Sequence, residues 1–200
     1  MEKICIVINR QYASGGREVA RILSERLNIP FYDGHLLQMA AEEYGLSPRV
    51  MKDYDEKKMG SLLYSVAITS GAGQNMLPYA IFQAQSETIR RLAEAGPCIL
   101  IGRCADYVLR DRCEFLNVFI YATSMEKRIA RAMEADGVSE KDAVAFITRK
   151  DRQRKEHYNF HTDKQWAKMT EYDLCLNTST MGYEACADAI MAALDGMMKK

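Results

Sequence analysis

The residues best suited to chemistry sit in one short stretch, Asn9-Arg10-Gln11-Tyr12-Ala13-Ser14-Gly15-Gly16-Arg17-Glu18. Adjacent glycines let a backbone turn tightly and approach a ligand closely. Backbone N–H groups at the start of a helix attract anions. With arginines at positions 10 and 17, the chemistry on offer is phosphate binding. A second stretch, Arg149-Lys150-Asp151-Arg152-Gln153-Arg154-Lys155, runs into Glu156-His157-Tyr158 and is strongly basic. An arginine fork meets two phosphate oxygens at once, and its charge offsets the charge that develops as a phosphoryl group moves. Taken alone, that run reads more readily as a solvated helix end, where cations are favourable without any ligand. Together the two stretches point to a polyphosphate substrate.

The first stretch does not fit G-x-x-x-x-G-K-[ST], the usual phosphate-loop pattern. If Gly16 is the last glycine, Arg17 replaces the lysine and Glu18 the hydroxyl residue; if Gly15 is, Gly16 stands where the lysine should be. Further candidates follow apolar runs. Asp33 could hold a sugar hydroxyl, orient Mg²⁺ or cap a helix. Arg103, straight after Gly102, is an anion ligand or a surface ion pair, whereas Asp106 is a candidate of the same kind as Asp33. His157 and His161 have i,i+4 spacing with Asp163 near, but no further metal ligand is evident, so no metal site is assigned.

The elements that must position these residues alternate. Lys3–Ile8 is an apolar run with the character of a strand buried on both faces. Ser14 is the expected cap of a helix carrying Val19, Ala20, Ile22, Leu23 and Leu27, which Asn28 stops in a left-handed conformation. Ile29–Asp33 reads as a second strand. From about His35 to Ala95 the pattern is helical with interruptions: Ser47-Pro48 starts a charged helix, Gly60 breaks it, Gly71-Ala72-Gly73 marks a loop, and Tyr79–Ala95 is a long helix. Cys98–Ile101 and Leu116–Tyr121 are strands, and Thr123 or Ser124 caps a helix to about Ala135. Ser139 and Asp142 resemble a capping box opening a helix to about Glu156. Tyr172–Asn177 is a fifth strand and Tyr183–Leu194 a closing helix. Strand–helix alternation implies a parallel α/β sheet covered on both sides, with ligands beyond the carboxyl ends of its strands.

Composition narrows the function classes. Of 200 residues, 48% are hydrophobic and 27% charged, which excludes a mostly disordered chain. Lys+Arg 27 balances Asp+Glu 27, so no global attraction to nucleic acid or to an anionic membrane is expected. No apolar stretch approaches the ~20 residues of a membrane span, and Met1–Ile8 is too short for a signal peptide. The six cysteines form no C-x-x-C pair; Cys5, Cys98 and Cys175 are expected to be reduced core residues of a cytoplasmic protein.

Ile6 to Ala20 resembles the opening of the cytidylate kinase-like family, a divergent branch of the P-loop nucleoside monophosphate kinases. The likeness continues in Ile29–Asp33, Ile101-Gly102-Arg103-Cys104-Ala105-Asp106, Arg149–Tyr158 and Tyr172–Ser179. The resemblance implies a single domain over residues 1–200, with a five-stranded parallel sheet in order 2-3-1-4-5. It also implies a helical acceptor-binding insertion at about 35–95 and an arginine-bearing lid at about 149–165. The implied reaction moves the ATP γ-phosphoryl group to a nucleoside monophosphate, CMP by default, with Mg²⁺. Arg10 and Tyr12–Glu18 would then hold the donor nucleotide, with Ser14–Glu18 cradling its phosphates. Arg17, Arg149, Arg152 and Arg154 would act on the transferring group, and Asp33, Arg103 and Asp106 would face the acceptor. This chain departs from the family's kinases at the loop lysine, for which Arg10 or Arg17 would substitute. Glu18 replaces the hydroxyl, Cys104 an aspartate after Gly-Arg, and Gly34-His35 the Ser-Gly after the second strand. Two other functions share these features: a nucleotide-binding regulatory module without useful catalysis, and a sulfotransferase-like enzyme with a phosphoadenosine sulfate donor.

Overall fold

The computed structural model describes residues 4–35 and 76–199. The expected charged helix after Ser47-Pro48, the break at Gly60 and the loop at Gly71–Gly73 lie outside those residues.

Five strands, β1 (Cys5–Arg10), β2 (Phe31–Tyr32), β3 (Ile99–Ile101), β4 (Phe115–Tyr121) and β5 (Leu174–Asn177), form one sheet in the order β2-β3-β1-β4-β5. Every pairing is parallel, with Ile6 opposite Ile99 and Leu116, and Ile120 opposite Leu176. The helices of the described residues are α1 (Gly16–Leu27), α2 (Met76–Ala95), α3 (Ala105–Leu109), α4 (Met125–Asp136), α5 (Glu140–His161) and α6 (Thr178–Met197). The P-loop monophosphate-kinase-like fold expected from the resemblance is the one found.

β1 is apolar from Cys5 to Ile8 because it is covered twice. Ile4, Ile6 and Ile8 point into a core shared with Val19, Ala20 and Leu23 of α1 and Cys186, Ala187, Ile190 and Leu194 of α6. Cys5 and Val7 point the other way, to Ile89 and Ala93 of α2 and Ala105, Val108 and Leu109 of α3. Alternate residues of one strand thus serve two cores, as a central parallel strand requires. The cysteines at 5, 98, 104, 113, 175 and 186 are all free thiols; Cys175 is only half-buried.

Several local expectations are corrected. β1 runs on through Asn9 and Arg10, because the parallel ladder with β4 continues to Arg10 opposite Ile120. Ser14 does not cap α1. That position belongs to Gly15, left-handed at φ 84°, while the Ser14 hydroxyl lies near the carbonyls of Gln11 (2.9 Å) and Ile120 (3.1 Å), closing the loop instead. The Ser139 hydroxyl meets the Asp142 carboxylate rather than a backbone N–H. α6 starts at Thr178, then breaks at Gly182 (φ 78°, ψ 173°) and resumes at Tyr183, where the sequence pattern starts it. Asn28 ends α1 left-handed, at φ 51°, as read.

Candidate phosphate-binding site

The loop after β1 is held from three sides before any ligand arrives. From β4, the Ile120 carbonyl accepts from the Gln11 N–H (3.0 Å), and the Gln11 side-chain carbonyl accepts from the Ala122 N–H (3.1 Å). From the start of α6, buried Thr178 donates its hydroxyl to the Ser14 carbonyl at 2.7 Å. From α4 and α5, an ion pair grips Tyr12 at both ends: Arg128 Nε donates to its carbonyl (2.8 Å), and its N–H donates to Asp151 Oδ1 (2.6 Å). Arg128 Nη2 and Asp151 Oδ2 are 2.5 Å apart, and Arg128 is only 5% exposed. Burial pushes the Asp151 carboxyl up from its usual range, against the pull of Arg128. The Tyr12 ring meets Phe146 edge-on, with centroids 5.5 Å apart, and its hydroxyl bonds Asp136.

Held in this way, Ala13 (φ 56°) and Gly15 (φ 84°) both adopt left-handed backbone, with Ser14 between them. Alternation of that kind curls successive N–H groups around a concavity that suits an anion. The loop ends on the N-terminus of α1, whose dipole adds to the attraction. A cavity of about 330 Å³ opens there, lined by Arg10 through Arg17 without a gap, by Asp33, and by Arg131 and Arg154.

The predicted residues divide in two. Arg10, Tyr12, Ala13, Ser14, Gly15, Gly16, Arg17, Asp33 and Arg154 share the cavity wall. Arg17 reaches Asp33 at 3.2 Å; the arginine is 69% exposed, so the pair is weak and leaves Arg17 able to turn towards a ligand. Asp33 Oδ1 also accepts from the His35 N–H, a capping contact. Glu18 sits in the first turn of α1 between Arg21 and Arg131, off the cavity wall; burial works to raise its pKa, but those two arginines outweigh it and hold it below the usual carboxylate range. Arg103, Asp106, Arg149 and Arg152 do not line the cavity. Arg103 follows Gly102 (φ 70°) in a left-handed turn with Cys104 (φ 58° and 56°), and its guanidinium lies over Gly34, where an added β-carbon would meet Nη2 at 2.7 Å. Asp106 is fully buried, accepting from the Tyr158 hydroxyl at 2.6 Å with Lys164 Nζ at 3.4 Å. Arg149 packs over Phe146, and Arg152 stands exposed 3.9 Å from Glu156. Residues 149–161 of the expected lid are the second half of α5, which runs past Glu156 to His161.

The structure adds residues that the sequence patterns passed over. Arg131 on α4 lines the cavity, donating to Glu18 (3.0 Å) and to the Tyr183 hydroxyl (3.0 Å). Tyr183 lies against Gly15 so closely that a β-carbon on the glycine would meet its ring, and one of the two would have to shift. Arg128 and Asp151 clamp the loop. One signal could have found the two arginines: α4 follows a strand end directly, so its first turns must face the same crevice.

Comparison with known proteins gives the family and the fold. The cytidylate kinase-like family matches residues 5–180. The chain belongs to that family. A cytidylate kinase of Pyrobaculum calidifontis is 24% identical over 196 residues, covering 96% of this chain and 91% of that one. Among solved structures, an uncharacterized protein from Eubacterium ventriosum superposes with a TM-score of 0.74 at 27% identity, covering 96% of this chain and 99% of that one. Shikimate kinase from Acinetobacter baumannii, solved with shikimate, reaches a TM-score of 0.53 at 13% identity over 100% of this chain and 97% of its own; that likeness is one of fold. Among the described residues no cluster of three or more His, Cys, Asp or Glu could hold a metal, and no helix is long and apolar enough to cross a membrane.

Proposed function

We propose that this family member is a nucleotide-kinase-type phosphotransferase that moves the γ-phosphoryl group of ATP to a small phosphorylated acceptor, CMP being the first to test. The observation that carries the proposal is a curled loop at a helix N-terminus whose cavity is walled by the guanidinium-bearing residues Arg10, Arg131 and Arg154. In the reaction an acceptor phosphate oxygen bonds to the γ-phosphorus, the bond from that phosphorus to the β–γ bridging oxygen breaks, and ADP leaves. Such transfer needs positioning and charge stabilisation more than a nucleophilic side chain. The loop N–H groups hold the donor phosphates, Arg131 and Arg154 neutralise them, and Asp33 and Arg103 lie on the side assigned to the acceptor. Arg149 and Arg152 are assigned to the transferring group rather than to ground-state binding.

Mg²⁺ fits this site as part of the nucleotide complex, since it is bound mostly by phosphates and water with one or two carboxylates. Asp33 and Asp136 are carboxylates of the cavity wall and suit that limited role. Bound there, the ion would neutralise charge on the phosphate oxygens.

Steady-state ADP formation from ATP with Mg²⁺, across a panel of nucleoside monophosphates, tests the proposal. One monophosphate should raise the rate well above ATP hydrolysis alone. ATP binding with no acceleration by any acceptor would favour a nucleotide-binding regulatory module, a reading supported by glycine standing at the lysine position of the loop. Arg152→Ala should lower kcat far more than it weakens ATP binding; equal losses would count against its assignment.

A further inference from the structure

With Gly15 as the last glycine of the phosphate-loop pattern, the first glycine of that pattern falls on Arg10 and its lysine on Gly16. A cation and a glycine have traded ends of the loop. Packing explains why both changes go together. Gly16 opens α1 and is not among the glycines of positive φ, so backbone conformation does not call for glycine there. Space does. A β-carbon on Gly16 would lie 2.9 Å from Arg10 Cβ and 3.1 Å from its Cγ. Further out, a β-carbon on Gly102 would collide with Arg10 Nη1. The Arg10 side chain thus runs from the end of β1, over the start of α1, to the end of β3, passing two bare α-carbons along the cavity wall.

We infer that Arg10 supplies the donor-phosphate cation that the pattern places at the lysine, and that position 16 is glycine because Arg10 crosses it. The inference rests on the phosphate-binding reading above and assigns its cation. Arg17, the other candidate, rests on Asp33 through a weak, exposed pair, whereas Arg10 already lies along the loop. An arginine in this place offers a fork to two phosphate oxygens where a lysine offers a point charge.

Wild type, Arg10→Gly, Gly16→Lys and the double variant form a cycle with two readouts. Calorimetric titration with ATP, and separately with inorganic tripolyphosphate, measures the cation without any acceptor. Arg10→Gly should weaken both ligands by about 10- to 100-fold, the loss expected for charge-assisted hydrogen bonds. Gly16→Lys alone should lower the ligand-free unfolding temperature, because its β-carbon competes with Arg10. The double variant should recover stability relative to Gly16→Lys and affinity relative to Arg10→Gly. Arg10→Met, which keeps the aliphatic stem on Gly16, should lose affinity while unfolding near the wild-type temperature, a split that a purely structural role would not give. Wild-type affinity in Arg10→Gly or Arg10→Met would overturn the inference and leave the phosphate reading standing. Equal stability of Gly16→Lys and the double variant would overturn the packing half. A wild type that binds neither ligand would remove the phosphate reading and Arg10's role with it.

Discussion

Arg128 and Asp151 are an ion pair that spends its hydrogen bonds on the backbone of Tyr12. Removing one member leaves the other charged and largely desolvated, which costs ~3–5 kcal/mol. Arg128→Ala should therefore lower the unfolding free energy by about that amount, read from denaturant titration, and should loosen the loop as well. A second residue-scale effect concerns His161. Its ring stacks on Phe82 with centroids 4.0 Å apart, and burial depresses its pKa to about 4. An unfolded imidazole titrates near ~6.5, so the unfolded chain takes up a proton before the folded one does. Stability is then fully present above pH ~6.5 and is lost as pH falls towards 4. His161→Phe should remove that part of the pH dependence, measured as unfolding temperature against pH for both proteins. Arg10, the Ser14–Arg17 turn, Asp33 and Arg154 were legible in the sequence because residue type and strand-end position agree. Arg128, Arg131 and Tyr183 were not, since a charged or aromatic residue on an amphipathic helix reads as surface until its neighbour across the fold is known.

At the scale of elements, the strands and the helix caps follow from local chemistry, whereas helix ends depend on tertiary contacts. The apolar pattern of α5 gives out near Glu156, yet the helix continues to His161. Tyr158 explains the difference: it is 2% exposed, and its hydroxyl donates to Asp106, a fully buried carboxylate contributed by α3. Burial, and the charge of Asp106 after it, push the Tyr158 phenol up, which favours its protonated, donating form. Tyr158→Phe should cost ~1–3 kcal/mol, since it deprives a buried carboxylate of a donor. It should also fray the last turn of α5, visible as faster amide exchange near His157–His161. Ser14 departs from its expected role for a related reason. A serine before a helix is ordinarily its cap, but here the left-handed Gly15 takes that place and frees the hydroxyl to close the loop onto β4.

For the whole molecule, the alternation of apolar runs and helical stripes was enough to reach a doubly covered parallel sheet. The order β2-β3-β1-β4-β5 came from resemblance rather than periodicity, because pairing is a non-local property that a strand's own residues do not encode. That order puts the ends of β1 and β3 side by side, which lets Arg10 cross to Gly102 and brings the loop under α4 and α5. The central claim is that this convergence binds the polyphosphate of a nucleotide. Its most direct test is thermal unfolding of the wild-type protein against ATP, ADP and a nucleoside monophosphate panel, each with and without Mg²⁺. A ligand at ~100 times its dissociation constant adds ~2.7 kcal/mol to stability, so ATP with Mg²⁺ should raise the unfolding temperature by several degrees, and one monophosphate should raise it further. An unfolding temperature unchanged by every nucleotide would contradict the account.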